Sequence, residues 1–196
     1  MAISIGLKTN THLLICSETI LTSSGIIKIK EDDEYTANIS GSLVCITGEQ
    51  GDSFRTVSLL EQYSKLLSMK YKEKIGPELL ARLLSSEIYE SLRSRPLEVQ
   101  GIVGGRSEDN TLKLFGIDKY GAVHEDNFVV TGYGLYFLFG IYDMMYKKDM
   151  SEEEALSLIR NCLKTLKERL VLETDKWKLD VIGPEGARSE LVDLSK

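Results

Sequence analysis

The chain has 196 residues, of which 42% are apolar and 28% charged, and its net charge is −6. That length and apolar share fit one folded domain with a sizeable core and exclude a disordered chain. The acidic balance, with no long basic run, excludes a general nucleic-acid-binding surface.

Residues 3–47 are strand-like almost throughout, in the short runs "ISIGLK", "HLLICS", "IIKIK", "YTANIS" and "LVCIT". Asn, Ser, Gly and acidic turns separate them. The opening residues lack the charged leader and apolar stretch of a secretory signal, so no processing is expected beyond loss of Met1. The acidic run Glu31-Asp32-Asp33-Glu34 reads as a solvated turn.

Near Gly51-Asp52 the period changes. Phe54, Val57, Leu60, Tyr63, Leu67 and Tyr71 recur at steps of three and four, which predicts an amphipathic helix with Asp52 as its N-cap or first-turn carboxylate. Gly76-Pro77 opens a second helix, with Leu79, Leu80, Leu83, Leu84, Ile88 and Leu92 as its stripe and Pro96 marking its end. "LRSRP" at 92–96 reads as a solvated helix end whose arginines complement the dipole and pair with carboxylates.

Strands return in "VQGIVGG", "TLKLFGI" and "NFVVTG". Gly132-Tyr133-Gly134 then leads into a block crowded with aromatics up to Tyr146. Unpaired N–H groups at a helix start attract anions, but no third glycine, Lys-Ser/Thr pair or βαβ unit accompanies these two. They read as a structural turn. The helix that follows is apolar on nearly every face and is expected to be covered on most sides, with Gly140 permitting close approach by another backbone. Ser151 and Glu154 have capping-box spacing for a fourth helix, with Ala155, Leu158, Ile159, Cys162, Leu166 and Leu170 on one face. "WKLDVI", a Gly-Pro-Glu-Gly turn and a short charged tail close the chain.

Short connections between strands favour antiparallel hairpins. Two helix pairs and two sheets must each bury an apolar face. The expected architecture is therefore α/β of the α+β kind: a four-layer αββα sandwich of two antiparallel sheets flanked by helix pairs, forming one domain over residues 1–196.

Few residues suggest chemistry. Gly51-Asp52-Ser53 is similar to the Gly-Asp-Ser of one esterase family, but no Asp-x-x-His and no Gly-x-Ser-x-Gly elbow accompanies it, so a turn and a capped helix is the better reading. Cys16, Cys45 and Cys162 sit among apolar neighbours and are expected to be buried thiols in a reducing compartment. His12 and His124 read as loop or strand-end residues, without partners at metal-ligand spacing. No catalytic, cofactor or metal residue is predicted, and no membrane span.

Several of these pieces together resemble the β-type subunits of the 20S proteasome: "ISIGLK", "LVCITGEQGDS", "LRSRP", "GYGLYFLFGIYD" and "SEEEALSLIRNCLKTLKERLVL". The resemblance covers nearly the whole chain, and within that family it is nearest the type-2 branch, at the fourth position of the β ring. It implies the N-terminal-nucleophile hydrolase fold, in agreement with the layer argument. Active members use an N-terminal threonine as nucleophile and its own amine as base, beside an aspartate and a lysine. Aligned on the glycine of the first strand, the threonine position falls on Ala2, the aspartate on Glu18 and the lysine on Glu34. The serine of the family's Gly-Ser-Gly turn falls on Tyr133, and the late aspartate and serine fall near Leu170 and Glu173. No Gly-Thr processing junction is present; Gly41-Ser42 is the only glycine followed by Ser, Thr or Cys.

The resemblance therefore implies a non-catalytic structural subunit. It would help build the β ring and the proteolytic chamber for ATP- and ubiquitin-dependent degradation, with other α and β proteasome subunits as partners. Neither nucleic acid nor membrane is expected as a partner, and the cytoplasm and nucleus are the expected location. The alternative is an active threonine-type endopeptidase with an atypical site.

Overall fold

Antiparallel pairing organises the chain from its first residues. The structure is a computed structural model that describes residues 2–23, 27–30, 35–170 and 175–194. β1 (Ser4–Lys8) and β2 (Leu13–Glu18) form a hairpin with Ser4 opposite Ser17 and Lys8 opposite Leu13. β3 (Leu21–Ser23) and β4 (Ile27–Lys30) pair as a small separate ribbon. β5 (Thr36–Ile39) and β6 (Ser42–Gly48) turn on Ser40 and Gly41, whose φ values of 57° and 90° suit a two-residue hairpin.

Helices α1 (Gln50–Tyr71) and α2 (Pro77–Ser91) come next. Then follow β7 (Val99–Arg106), β8 (Leu112–Ile117), β9 (Val123–Glu125) and β10 (Phe128–Thr131). A turn of 3-10 helix over Gly132–Gly134 leads into α3 (Leu135–Met145), and α4 (Glu152–Arg169) lies beyond it. The hairpin of β11 (Lys176–Gly183) and β12 (Gly186–Asp193) comes last.

One five-stranded sheet has the order β10-β1-β2-β11-β12 and the other β5-β6-β7-β8-β9. Three apolar layers separate the elements. Ile5, Leu7, Trp177 and Leu179 of the first sheet pack with Leu138, Leu158 and Cys162 of α3 and α4. Val44, Ile46 and Val103 of the second sheet pack with Leu60, Leu84 and Ile88 of α1 and α2. Leu13, Ile15, Cys45, Ile102 and Leu114 fill the space between the sheets. This is the expected αββα sandwich. The sheets approach closely where glycine replaces a side chain: a Cβ on Gly104 would lie 2.7 Å from the Leu13 side chain.

Local patterning found α2 and α4 well. Leu80, Leu84 and Ile88 are buried in α2, and both hydrogen bonds of the Ser151–Glu154 capping box form in α4. In α1 the first-turn place of Asp52 is met, but only part of the expected apolar stripe is buried. Glu49 is the N-cap, accepting from the Asp52 N–H at 2.9 Å, while Asp52 sits in the first turn. The face of α1 against the sheet carries Ser53, Thr56, Leu60 and Ser64, whereas Phe54 and Tyr71 of the expected stripe are 50% and 58% exposed. Small side chains let the helix lie close to β6 and leave the bulky ones outside.

Two further expectations are corrected. In α3 only Leu138 is fully buried, Tyr136 and Met144 are exposed, and among the described residues a Cβ on Gly140 would meet nothing within 4 Å. Within one chain this helix has a single sheet and one neighbouring helix to cover it. The charged tail is instead strand β12, paired along its length with β11. All of it but Val192 is exposed, so no alternation of apolar residues announced it. The three-residue strands β3 and β9 were too short to show a period.

Candidate functional site

Ala2 leads into β1 beside the end of β2, and the two segments are tied by backbone. The Glu18 N–H donates to the Ile3 carbonyl at 3.2 Å. Gly132 closes the third side. Its φ is +72°, and a Cβ there would stand 2.9 Å from the Ala2 carbonyl oxygen, so a side chain would push the turn off the start of the chain. Gly132-Tyr133-Gly134 is thus a packing turn, with Tyr133 60% exposed.

Behind Ala2 lies a buried chain of hydroxyls. Ser4 Oγ and Thr131 Oγ1 are 2.7 Å apart, and the Thr47 hydroxyl donates to Thr131 Oγ1 at 3.1 Å. Thr47 belongs to the second sheet and the other two to the first, so the chain pins the sheets together. Sequence reasoning missed this cluster, because no local pattern links hydroxyls 84 and 127 residues apart. The nearby Cys45 thiol is pushed up to about 11 by burial, which keeps it protonated and unreactive. Cys16 and Cys162 are likewise buried and free, with burial raising both thiols.

Ala2 itself is almost fully buried and offers only a methyl group. Glu18 is the carboxyl that the described residues bring to this place. Burial pushes its carboxyl up to about 7, against the opposing effect of a hydrogen bond from the Ile3 N–H. Leu170 caps α4, donating its N–H to the Leu166 carbonyl at 2.8 Å, and packs against the core of the first sheet. The positions assigned to Glu34 and Glu173, and the acidic run 31–34, lie outside the described residues.

The raised Glu18 carboxyl makes a pH prediction. A carboxyl that binds its proton more tightly when folded stabilises the fold at low pH. That contribution is lost as pH rises from the ordinary carboxylate range through about 7. Glu18→Gln, which stays neutral, is therefore expected to be about 2–3 kcal/mol more stable than the parent at about pH 8 and nearly equal at about pH 4. Urea midpoints from pulse proteolysis at both pH values check this; a gain of equal size at the two would sink it.

The remaining candidates do not converge here. Asp52 is buried in α1, where its carboxylate accepts from the Glu98 N–H at 3.4 Å and faces Arg55 and Arg95 at 4.0 and 3.9 Å. So one arginine of "LRSRP" does pair with a carboxylate, while the other, Arg93, stacks on Tyr89 with its guanidinium 5.2 Å from the ring. Ser53 has a buried hydroxyl in the first turn of α1. His12, before β2, lies 3.3 Å from Glu152, and His124 is in β9. Among the described residues no group of three or more His, Cys, Asp or Glu could hold a metal ion, and no helix is long and apolar enough to cross a membrane.

Residues 2–182 match the family model described as "Proteasome subunit". The chain is 33% identical over 184 residues to the "Probable proteasome subunit beta type-4" of Encephalitozoon cuniculi, covering 93% of this chain and 92% of that one. It is 26% identical over 191 residues to the proteasome subunit beta type-4 of Saccharomyces cerevisiae, covering 96% of each. Against the proteasome subunit beta type-2 of Dictyostelium discoideum it is 28% identical over 179 residues, or 89% of this chain and 90% of the relative.

Proposed function

Since the chain belongs to the proteasome subunit family, as a β-type subunit similar to types 2 and 4, we propose that its task in the 20S core is structural and not catalytic. As a β subunit of that core it assembles with other proteasome subunits in rings. In the proposed role it holds one place in a heptameric β ring, between β neighbours and below an α ring. There it helps wall the chamber in which ubiquitin-marked proteins are cut. Cytoplasm and nucleus are its proposed locations, checked by fractionation with antibody to the endogenous chain.

The observation that carries this reading is Ala2. It stands at the head of β1 where the nucleophile of active members would stand, and its methyl group has no proton to lose and no lone pair to attack a carbonyl. Glu18 beside it, whose carboxyl burial pushes up to about 7, has no hydroxyl at position 2 from which to draw a proton. The test is to treat purified endogenous particles with a threonine-directed covalent inhibitor and find which chains gain its mass. This chain is expected to stay unlabelled while catalytic subunits are labelled. Its own labelling would favour the endopeptidase reading instead.

Restoring the hydroxyl is not expected to restore activity. A threonine at position 2 with a free amine needs that amine neutral, and a neighbouring carboxylate favours its protonated form. Glu18 is beside it, and Glu34 stands where the resemblance puts the lysine. Particles carrying Ala2→Thr, with Met1 removed and the catalytic subunits disabled, are expected to give no turnover of fluorogenic peptides. Inhibitor-sensitive turnover would show the scaffold to be competent.

A further inference from the structure

The two sheets present four edges, and three of them are protected. β12 carries Arg188, Glu190 and Asp193. In β9, Glu125 pairs with Lys8 and Lys113. β10 is buried at all four of its residues. Charge and burial are the usual devices that stop an edge from recruiting another strand. The fourth edge, β5, reads Thr-Ala-Asn-Ile, with no charge, no proline and no bulge in its pairing with β6.

Among the described residues, β5 also borders an open groove. One stretch, of about 540 Å³, lies between Asn38 and Ile39 of the strand and Glu61, Ser64 and Lys65 of α1. A second, of about 520 Å³, runs on from the same Asn38 and Glu61 towards Val57 on one side and Lys178 and Arg188 of the last hairpin on the other. Backbone direction decides what such a groove can hold. Ile46 donates its N–H to the Tyr35 carbonyl at 3.2 Å, so Tyr35 faces β6. Alternation along an antiparallel ladder then turns the N–H and C=O of Thr36 and Asn38 outward, into the groove.

We propose that an extended segment of an adjacent ring subunit adds to β5 as a further strand of the second sheet. This rests on the ring membership argued above. Main-chain hydrogen bonds to Thr36 and Asn38 hold the segment, and alternate side chains give it specificity. On the α1 side it lies beside Ala37 and Ile39, which pack in the apolar layer of that helix, so apolar residues fit there. On the other side it lies beside Thr36, whose hydroxyl is 3.4 Å from Ser17 Oγ of the first sheet, and near Lys178 and Arg188. Lys178 faces Asp180 and Arg188 pairs with Glu152, so polar residues with little net charge fit that side. A helix is excluded as occupant because it has no free backbone groups to offer along its length.

The structure of the purified endogenous particle tests this. The expected result is about four to six residues of one neighbouring subunit running along β5, with backbone hydrogen bonds to Thr36 and Asn38. A particle in which this chain occupies a β-ring position but the groove is empty, or filled by a helix, a loop without those bonds or this chain's own residues, would overturn the strand and leave the ring role intact. A particle in which the chain has no ring position would overturn both.

Discussion

A Gly48→Ala chain is expected to lose about 3–5 kcal/mol of stability and to disappear from assembled particles. Gly48 ends β6 at a φ of +151°, a conformation that side chains rarely adopt. Its added Cβ would stand 2.0 Å from the Glu98 carbonyl oxygen and 2.8 Å from the Val99 Cα. Both are backbone atoms held by the β6–β7 ladder, where Gly48 pairs with Val99, so no rotamer change can relieve the overlap. The same carbonyl accepts from the Glu49 N–H at 2.8 Å, and Glu49 caps α1. Parting the strands would therefore also loosen the start of that helix. Soluble yield and the variant's share of purified particles, expressed beside the parent chain, measure the effect. Incorporation equal to the parent's would show that β7 can yield.

Trp177 provides a second large effect, and a paired control. It is fully buried in β11, under α4, in the apolar layer of the first sheet. Trp177→Ala leaves a void in a layer built from two rigid elements, and about 3–5 kcal/mol should be lost. Among the described residues the indole N–H has no hydrogen-bond partner, so the residue carries an uncompensated cost along with its burial. Trp177→Phe removes that N–H and keeps most of the ring, and the two effects should nearly offset, for a change of about 1 kcal/mol or less. Urea midpoints of the two variants, read by pulse proteolysis, should therefore differ widely. If phenylalanine costs as much as alanine, the indole is fixed by a contact that the buried layer does not account for.

How much of this was legible in advance differs element by element. The layered fold followed from the order of strands and helices together with short connections. The start and the buried face of α4 followed from Ser151, Glu154 and a stripe of apolar residues. Each of these signals is local, since a capping residue or a periodic stripe acts on its own turn of helix whatever lies opposite. That position 2 offers no hydroxyl was legible with no structure at all. Ala2 has no hydroxyl in any fold.

Tertiary structure alone decided which face each element buries and what meets at the head of β1. In α1 the small side chains, Ser53, Thr56 and Ser64, won the inward face over Phe54 and Tyr71, because a helix lying close on a sheet has no room for rings. β12 is a strand through its ladder with β11, since an edge that buries little beyond part of Val192 has no pattern of its own. The Ser4–Thr131–Thr47 hydroxyls, the shifted Glu18 carboxyl and the groove beside β5 all depend on residues far apart in the chain. Hydrogen bonding, desolvation and an open strand edge are properties of neighbours in space, and periodicity along a sequence reports only the neighbours within one element.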